Sequence, residues 1–451
     1  MNLSGLRHIY FLGIGGIGMS ALARYFLGRG VRVSGYDKTE TDLTAQLVKE
    51  GMQIHYHDAP DQLPPDIDLV ILTPAIPKDL QEWKRLMEKK IPIYKRAEVL
   101  GMISKDHTCL CVAGTHGKTT TTTLLTHILK CSGVNVTAFL GGIAGNYGSN
   151  FISGNSEIVV MEADEYDRSF LQLSRNGIIV TSSDPDHLDI YGTAENMLLA
   201  YSDFINGVEK NGIVVLRSGL PLTLNANVQG YADQIYYSDQ SNYRAENIRV
   251  ENGLFVFDYV GEKISMTGLE FTMPGRHNVE NATAAITLAL SFGATEKGVR
   301  LALKDFKGIR RRFEFVLRSE KSVLIDDYAH HPAELKAAIG AARELFPTKR
   351  ITGLFQPHLF SRTRDFMEGF AESLSMLDEL ILLDIYPARE LPMEGVSSSA
   401  LLEQIKTPKR ELLSKEDAIK ELVNRKPEVL LILGAGDIDL LVEPIRKGLE
   451  G

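Results

Sequence analysis

The sequence predicts an α/β protein built from doubly wound parallel sheets. Short apolar runs alternate with helical patterns along the whole chain, and this alternation is typical of repeated β-α units. Two glycine-rich turns each join such a run to a helix, and clusters of polar residues follow several other runs. A chain of 451 residues exceeds the usual size of a single core, so we expect the units to be divided among several domains.

The first block of units opens with a glycine turn between a strand and a helix. HIYFLG is the strand, and Gly13, Gly15 and Gly18 give the turn the pattern G-x-G-x-x-G, while Asp37 ends the following strand. Taken alone, this pattern predicts a dinucleotide site. Backbone amides at a helix N-terminus bind a pyrophosphate whatever is attached to it, so a nucleoside diphosphate sugar fits as well as NAD. A tight turn needed only for packing is the third interpretation.

The second block contains the most informative segment, VAGTHGKTTTTTLL, in which an apolar strand passes through a turn into a helix. Gly114 and Gly117 let the backbone bend so that its N–H groups face inward. Lys118 can then reach phosphate oxygens, and the Thr119 hydroxyl can bind Mg²⁺. The usual phosphate loop has glycine where this chain has Val112. The segment therefore predicts a shortened phosphate loop that binds a nucleoside triphosphate.

Two later strands of the same block end in acidic loops. Glu162, Asp164, Glu165 and Asp167 follow the run IVVM, and His187 lies among aspartates after IIVT. Carboxylates beside a phosphate loop can hold Mg²⁺, and the strand-end position makes Glu162 the best candidate. His187 is a less orthodox ligand, because Mg²⁺ prefers oxygen. We expect most of the other acids to be solvated loop charges.

The third block places polar groups after two more strands. Asp327, Tyr328 and His330 follow VLID, and His358 follows GLFQP with Arg362 close behind. Arginine can bind a carboxylate or phosphate through two parallel hydrogen bonds, and histidine can orient a nucleophile or move a proton. Several such groups at matching strand ends favour a functional site over isolated structural histidines.

Composition limits the function without identifying it. The net charge of −9, from 49 basic and 58 acidic residues, gives no support to binding of nucleic acid or of an acidic membrane. Cys109, Cys111 and Cys131 suit a reducing compartment and predict neither a disulfide framework nor a zinc site. The first residues lack a signal-type apolar core, and no apolar run approaches membrane-spanning length. We expect a cytoplasmic protein without membrane insertion; the sequence does not indicate an oligomeric state.

Eight motifs together resemble those of the Mur ligases of bacterial cell-wall synthesis, across essentially the whole chain. They are GIGGIGMSALA, GTHGKTTTT, EADEYDRSFL, DHLDIYG, GRHNVENA, RRRFE, DDYAHHPAE and FQPHLFSRTRD. The resemblance implies a Rossmann-like domain for a UDP-sugar in residues 1–106 and a central P-loop ATPase domain in 107–308. It implies a second Rossmann-like domain, for the amino acid and for closure over ATP, in 309–451. The first glycine turn is then a UDP site rather than an NAD site.

The resemblance also implies a reaction in two steps that belongs to peptidoglycan precursor synthesis, and so to cell shape and cell division. ATP phosphorylates the lactyl carboxylate of UDP-N-acetylmuramate, and the amine of L-alanine attacks the acyl phosphate to give an amide. Two Mg²⁺ ions are expected. Closure of the domains is expected as well, because water must be excluded from an acyl phosphate.

Site residues follow from the resemblance position by position. Those expected to act in catalysis are Lys118, Glu162, His187, His330, His358 and Arg362. Those expected at ATP are Gly114, Thr115, His116, Gly117, Lys118, Thr119, Thr120, His277, Asn278, Arg311, Arg312 and Asp327. Those expected at the UDP-sugar and the amino acid are Gly13, Gly15, Gly16, Ile17, Gly18, Asp37, Thr73, Tyr328, His330, His358 and Arg362. Thr119 is expected to bind the first metal, and Glu162 with His187 the second.

Two departures from the family pattern limit this transfer. Several members have arginine where this chain has Leu359, so one expected cation is missing and Arg362 or Arg364 would have to replace it. Later Mur ligases carry a carbamylated lysine after the DH motif, but no lysine occurs from Leu188 through Glu209. That modification is therefore expected to be absent.

Three other functions compete with this interpretation. A nicotinamide dehydrogenase would explain the first glycine turn but neither Lys118 nor the third block. A P-loop binding protein or GTPase switch would explain Lys118 but not the first turn. A murein tripeptide ligase is the nearest rival, since it shares the THGKT loop and joins a preformed peptide to the same UDP-sugar.

Overall fold

The computed structural model of the chain describes residues 3, 5–186, 188–229, 232–388 and 390–450. The chain divides into two compact units. The first comprises Met1–Ala245, Tyr259–Met266 and Asn281–Leu303, and the second comprises Glu246–Asp258, Thr267–Glu280 and Lys304–Gly451. Parallel sheets flanked by helices lie in both, so the predicted doubly wound α/β class is confirmed. The domain boundaries at 106 and 308 remain a prediction.

The first sheet belongs to the first unit and is entirely parallel, with strand order β3-β2-β1-β4-β5. Its strands are β1 (His8–Leu12), β2 (Arg32–Tyr36), β3 (Gln53–His55), β4 (Leu69–Leu72) and β5 (Ile93–Lys95). Its helices are α1 (Ile17–Leu27), α2 (Asp42–Lys49), α3 (Gln81–Glu88) and α4 (Arg96–Lys105). Every residue of β1 is buried, as the continuous apolar run of a parallel strand covered on both faces requires.

The second sheet, also in the first unit, has the order β12-β11-β10-β6-β9-β7-β8. Its strands are β6 (Thr108–Ala113), β7 (Thr137–Ala144), β8 (Ser149–Ile152), β9 (Ile158–Glu162), β10 (Gly177–Val180), β11 (Ile213–Arg217) and β12 (Asp233–Tyr237). The helices of this stretch are α5 (Lys118–Cys131), α6 (Leu188–Tyr191), α7 (Ala194–Asn206) and α8 (Ala226–Gln229). β6 pairs in parallel with β9 on one side and β10 on the other. The loops that follow these three strands therefore meet at one edge of the sheet.

Helix α5 buries a run of threonines, and three of their hydroxyls are satisfied within the helix. The Oγ1 atoms of Thr122, Thr123 and Thr126 each donate to the backbone carbonyl four residues earlier, at 2.7–2.8 Å. A buried hydroxyl without a partner is costly, and this local bonding removes that cost. The cost is removed for these three threonines, whereas Thr121 Oγ1, which is also buried, has no hydrogen-bond partner among the described residues.

Asn150 on β8 ties the first two sheets together inside the first unit. Its side chain is fully buried; it accepts a hydrogen bond from Arg24 and donates to the carbonyl of Ile17. It also donates to Ser20 Oγ at 2.9 Å. Arg24 in turn pairs with Glu50 at 2.8 Å. Helix α1, which follows the first glycine turn, is therefore anchored to the sheet that carries the phosphate loop.

A third, three-stranded sheet has the order β13-β14-β15. Its strands are β13 (Arg244–Glu251), β14 (Leu254–Val260) and β15 (Ser265–Phe271), and the helices that follow are α9 (Arg276–Ser291) and α10 (Glu296–Asp305). Within the described part of the chain, no helix is both long enough and apolar enough to cross a membrane.

The fourth sheet lies in the second unit, with the order β16-β17-β21-β18-β19-β20. Its strands are β16 (Glu314–Arg318), β17 (Val323–Asp327), β18 (Ile351–Phe355), β19 (Glu379–Leu382), β20 (Lys409–Leu412) and β21 (Val429–Leu433). Its helices are α11 (Pro332–Leu345), α12 (Phe360–Asp365), α13 (Met367–Leu374), α14 (Ser398–Gln404), α15 (Lys415–Arg425) and α16 (Val442–Glu450). Only β16 is antiparallel to its neighbour. Pro332 begins α11, where the first residue of a helix needs no N–H.

Candidate active site

The phosphate loop between β6 and α5 depends on two glycines. Gly114 has a φ of 134° and Gly117 a φ of 80°, and residues other than glycine rarely adopt such values. A Cβ atom at Gly117 would lie 2.7 Å from Asn281 Oδ1. The backbone therefore takes the bend that the sequence predicted, with the loop ending where α5 begins at Lys118.

Residues after β10 hold this loop in place. Thr115 Oγ1 donates to the carbonyl of Asp184 at 2.7 Å, and the N–H of His116 donates to Ser182 Oγ at 2.8 Å. The carbonyl of His116 accepts from Thr181 Oγ1 at 2.5 Å. Sequence reasoning missed Thr181 and Ser182, although Thr181 ends the predicted run IIVT and Ser182 follows it. These bonds fix the direction in which the loop peptides point.

Lys118 pairs with a buried carboxylate. Its Nζ atom donates to Glu165 Oε1 at 2.8 Å and to the carbonyl of Gly114 at 2.7 Å. Burial would lower the pKa of Lys118, but Glu165 and the neighbouring acids outweigh it and raise that pKa above its ordinary value. Glu165 is fully buried, so it is not one of the solvated loop charges that we expect most of these acids to be. The lysine remains charged and is fixed beneath the loop.

Thr119 and Thr120, which follow Lys118 in α5, are almost fully buried, each with 6% of its surface exposed. Glu162 ends β9 as predicted, and its Oε2 accepts a hydrogen bond from the N–H of Gly141 at 3.1 Å. There is no room for a side chain at Gly141, because a Cβ atom would collide with the Glu162 carboxylate. The close approach of the β7 backbone therefore sets the position of the Glu162 carboxylate.

The donors at this edge fit a hard cation. Thr119 and Glu162 offer hydroxyl and carboxylate oxygen, which Mg²⁺ prefers, and Mg²⁺ commonly uses only one or two protein carboxylates together with phosphates and water. His187 lies outside the described residues. Among the residues that are described, no group of three or more His, Cys, Asp or Glu side chains surrounds one point. The described residues therefore do not surround a metal ion on their own. Thr119 and Glu162 instead fit a Mg²⁺ site in which phosphate and water supply the remaining ligands.

The first glycine turn is braced by the strand that follows it. The N–H groups of Gly13 and Ile14 donate to the carbonyl of Tyr36 at 2.8 and 3.1 Å. The N–H of Gly15 donates to Asp37 Oδ2 at 2.7 Å. Asp37 thus binds the turn itself, an interaction that the sequence pattern did not predict. Its carboxylate holds the loop through which a diphosphate would approach α1.

The remaining residues of this turn surround the start of α1. Gly16 is the N-cap and Ile17 the first residue of α1, and a Cβ atom at Gly13 would collide with the Thr73 methyl group. A Cβ atom at Gly18 would lie 2.7 Å from Arg96 Nη1. Sequence reasoning missed Arg96, whose guanidinium is also 3.6 Å from Asp164 Oδ2.

In the second unit, Asp327 and Tyr328 contact residues 311–313, which directly precede β16. Asp327 accepts hydrogen bonds from the N–H groups of Phe313 and Ala329 at 2.7 and 2.8 Å. The guanidinium groups of Arg311 and Arg312 lie 5.0 and 5.3 Å from the centre of the Tyr328 ring, within the range of cation–π attraction. The structure therefore brings these four predicted residues together.

Two predicted histidines meet at the same edge of the fourth sheet. The rings of His330 and His358 are 6.4 Å apart, and His358 stacks on Tyr386 at 5.6 Å. The Arg362 charge acts on His330, whose pKa is lowered mainly by burial. The Nε atom of Arg364 lies 2.7 Å from Asp365 Oδ1, and the sequence did not predict this ion pair. Sequence reasoning missed Tyr386, although it follows the strand ELILL.

Leu359, the N-cap residue of α12, has a strained backbone conformation, with φ 69° and ψ 138°. Residues other than glycine rarely adopt it, and such strain is concentrated at functional sites. The Leu359 N–H donates to the carbonyl of Tyr386 at 2.9 Å. The position that departs from the family pattern is thus held by its backbone.

His277 and Asn278, predicted at ATP, begin α9 in different environments. The His277 side chain is exposed, whereas Asn278 is 3% exposed and donates to the carbonyl of Pro274 at 2.5 Å. The Asn278 amide therefore supports the turn before the helix.

Asp326, next to Asp327, provides a test of pH dependence. Burial raises its pKa to about 7 despite the nearby Arg311, so the folded chain holds a proton that the unfolded chain releases near pH 4. Stability should then fall as pH rises from about 4 to about 7. Asp326→Asn should weaken this dependence, leaving the part that comes from Asp327, whose pKa burial raises to about 6. It should raise the free energy of unfolding at pH 8 by up to about 4 kcal/mol, measured by urea denaturation. Asp365→Asn, at an exposed acid, is the control. Identical pH profiles for Asp326→Asn and the unmodified protein would contradict the assignment.

Comparison with known proteins gives a consistent result along the chain. Residues 8–108 match a family described as "Mur ligase family, catalytic domain", 112–289 match "Mur ligase middle domain", and 311–436 match "Mur ligase, glutamate ligase domain". The first match covers the glycine turn that alone predicts a dinucleotide site. Neither a dehydrogenase nor a GTPase switch accounts for all three matches.

Relatives and solved structures are similar over the full length. The UDP-N-acetylmuramate–L-alanine ligase of Flavobacterium psychrophilum is 48% identical over 100% of both chains. That of Porphyromonas gingivalis strain W83 is 49% identical over 99% of both. The crystal structure of the Thermotoga maritima UDP-N-acetylmuramate–alanine ligase superposes with a TM-score of 0.83 at 30% identity, covering 98% of this chain and 99% of that one. A murein peptide ligase of Psychrobacter arcticus has the same fold, with a TM-score of 0.73 at 22% identity over 98% of each chain.

Proposed function

The chain belongs to the Mur ligase family, and we propose that it joins L-alanine to the lactyl carboxylate of UDP-N-acetylmuramate at the expense of ATP. The product would be a precursor of peptidoglycan, and ADP and phosphate would be released. The observation that carries the proposal is the 48% identity, over the full length of both chains, to a relative that bears this activity in its name. The three-domain architecture of the family and the phosphate loop at Lys118 support it.

The proposed chemistry explains why ATP is needed. A carboxylate is a poor electrophile, because attack by an amine would have to expel oxide. Transfer of the γ-phosphoryl group to a carboxylate oxygen gives an acyl phosphate and ADP. The L-alanine amine then adds to the carbonyl carbon, and loss of phosphate and a proton from the tetrahedral intermediate leaves the amide.

Lys118 and the start of α5 would stabilise the transferred phosphoryl group. The helix N-terminus carries a partial positive charge, and the lysine ammonium is already fixed beneath the loop by Glu165 and Gly114. Such preorganised positive charge lowers the barrier most where negative charge develops. We propose two Mg²⁺ ions, the first bound by Thr119 and the second by Glu162 with His187. When bound, they would neutralise phosphate and carboxylate charge.

The first glycine turn would bind the diphosphate of the UDP-sugar. Ile17 and Gly18 present the N-terminal turn of α1, where backbone N–H groups attract anions. Asp37 and Thr73 would act at the same subsite, Asp37 by holding Gly15 in place. The domain division at residues 106 and 308 is part of this proposal.

The amino acid would be bound in the second unit, where Tyr328, His330 and His358 lie in one cluster. His330 Nδ1 lies 2.9 Å from the carbonyl of Tyr328, which fixes the ring. Arg362 is the proposed partner of the alanine carboxylate, because a guanidinium matches the fork of a carboxylate.

Arg362→Lys should raise the KM for L-alanine by about tenfold and leave the KM values for ATP and the UDP-sugar nearly unchanged, because only the bidentate match is lost. Steady-state kinetics with each substrate varied in turn measures this. Asp365 is already paired with Arg364, so Arg364→Lys is the matched control. Leu359→Arg should be tolerated. An equal change in all three KM values would leave Arg362 as a structural residue.

The deciding experiment compares two acceptors. The enzyme is incubated with UDP-N-acetylmuramate and MgATP, together with either L-alanine or the preformed tripeptide that a murein tripeptide ligase would use. We expect product with L-alanine and none with the tripeptide; product with the tripeptide and none with L-alanine would overturn the proposal.

We place the reaction in the cytoplasm. Cys109 and Cys111 are free thiols with their sulfurs 3.5 Å apart, which suits a reducing compartment.

A further inference from the structure

The ammonium group of Lys118 has three N–H donors, and the protein supplies an acceptor for each. The acceptors are the Gly114 carbonyl at 2.7 Å, Glu165 Oε1 at 2.8 Å and the Thr115 carbonyl at 3.4 Å. A phosphate oxygen can bind this lysine only if one of these three bonds is given up. The identity of that bond decides what Glu165 does during the reaction.

The three bonds differ in how easily they can be replaced. The bond to Thr115 is much the longest and is therefore the weakest. The bond to Glu165 is charged at both ends, and the Glu165 side chain is only 1% exposed. Its second oxygen, Oε2, has no hydrogen-bond partner among the described residues. Separation from Lys118 would leave a buried carboxylate with neither countercharge nor hydrogen bond, which is strongly unfavourable.

Glu165 is also fixed by its own surroundings. Its backbone carbonyl accepts a hydrogen bond from the Tyr191 hydroxyl at 2.6 Å. The 3₁₀ segment that follows, Tyr166–Gln172, contains Phe170, which is buried and stacks on Phe204 with ring centres 4.8 Å apart. These contacts fix the backbone of Glu165 in the loop that follows β9.

We propose that Glu165 is a positioning residue that keeps the Lys118 ammonium in place, and stays bound to it, while the third donor of Lys118 passes from Thr115 to the nucleotide phosphate. The proposal rests on the proposed function, because it assigns Lys118 to phosphoryl transfer. Glu165 acts only through Lys118. Without it the ammonium would lose both its nearest countercharge and a fixed direction toward the phosphate.

A different arrangement makes the opposite prediction. Suppose that Glu165 bound the Lys118 ammonium only in the free enzyme and that ATP displaced it. Removal of Glu165 would then free the lysine for the phosphate and tighten ATP binding. If Glu165 positions Lys118, its removal lowers kcat and does not tighten ATP binding. The two arrangements are therefore separated by the direction of the change in ATP affinity.

The test compares Glu165→Gln and Glu165→Ala with the unmodified enzyme. We expect kcat to fall about tenfold for Glu165→Gln, which keeps an acceptor, and about a hundredfold for Glu165→Ala. The dissociation constant of ATP, measured by calorimetry, should stay equal or rise. Adding Glu165→Ala to Lys118→Ala should lower kcat little further, because the two residues act as one unit; a merely structural role would lower it additively. Asp167→Asn, at an exposed acid in the same loop, should leave both quantities unchanged.

ADP release is measured with whichever acceptor the unmodified enzyme uses, so failure of the L-alanine assignment does not affect this comparison. Tighter ATP binding in Glu165→Ala, additive losses in the double variant, or an unchanged kcat would each overturn the proposal. Equal losses for Glu165→Gln and Glu165→Ala would also overturn it, since the amide keeps the acceptor.

Discussion

Lys118→Ala should lower the rate of ligation by about 10³-fold, while binding of the UDP-sugar persists. The lysine is fixed against the phosphate loop by Glu165 and the Gly114 carbonyl, and we expect stabilisation of the transferred phosphoryl group to depend on it. The first glycine turn follows a different strand in a different sheet, so its ligand is unaffected. Stopped assays of ADP release and calorimetric titration with the UDP-sugar measure the two effects separately. Near-normal turnover would show that Lys118 is not the phosphate contact.

This substitution also removes the countercharge of Glu165. An uncompensated buried carboxylate destabilises a protein by several kcal/mol, so Lys118→Ala should melt at a lower temperature. Adding Glu165→Gln should restore most of the melting temperature and none of the activity. The double variant thus separates loss of chemistry from loss of fold. Activity that returns together with stability would assign the effect to folding.

Glu162→Ala should raise the Mg²⁺ concentration needed for half-maximal activity by at least about tenfold and slow formation of the acyl phosphate. The carboxylate that ends β9 is the described group best placed to offset phosphate charge. Gly141→Ala should have a similar effect, because its Cβ would displace the Glu162 carboxylate. Titration of activity with Mg²⁺ measures both.

The matched control is Glu157→Ala, at an exposed acid just before the same strand. It should leave the Mg²⁺ titration unchanged. His187→Ala is expected from the sequence to resemble Glu162→Ala. An unchanged Mg²⁺ titration in both Glu162→Ala and His187→Ala would contradict the second metal.

Much of the fold and part of the site could be predicted because their signals are local. The phosphate loop is contained in one strand, one turn and one helix start, and Gly114 and Gly117 have the positive φ angles that the loop requires. The meeting of His330 and His358 could be predicted as well, since parallel strands end at one edge of their sheet.

Other parts of the site depend on contacts between distant segments. Glu165 is 47 residues from Lys118, and nothing in EADEYD distinguishes the one fully buried acid from its more exposed neighbours. The bond from Gly15 to Asp37 depends on how the second strand lies against the turn. Tyr386, like His358, lies just after the end of a parallel strand. A search of the residues after every predicted strand would therefore have found it.

The anchoring of α1 by Asn150 affects how the protein unfolds. The buried Asn150 side chain accepts a hydrogen bond from Arg24 and donates one to the carbonyl of Ile17, and the three residues lie in the first unit. Melting of the first sheet alone would leave these buried polar groups without partners. The first and second sheets should therefore lose structure in one cooperative transition, and a fragment that ends at residue 106 should be far less resistant to heat and proteolysis than the same residues in the whole chain.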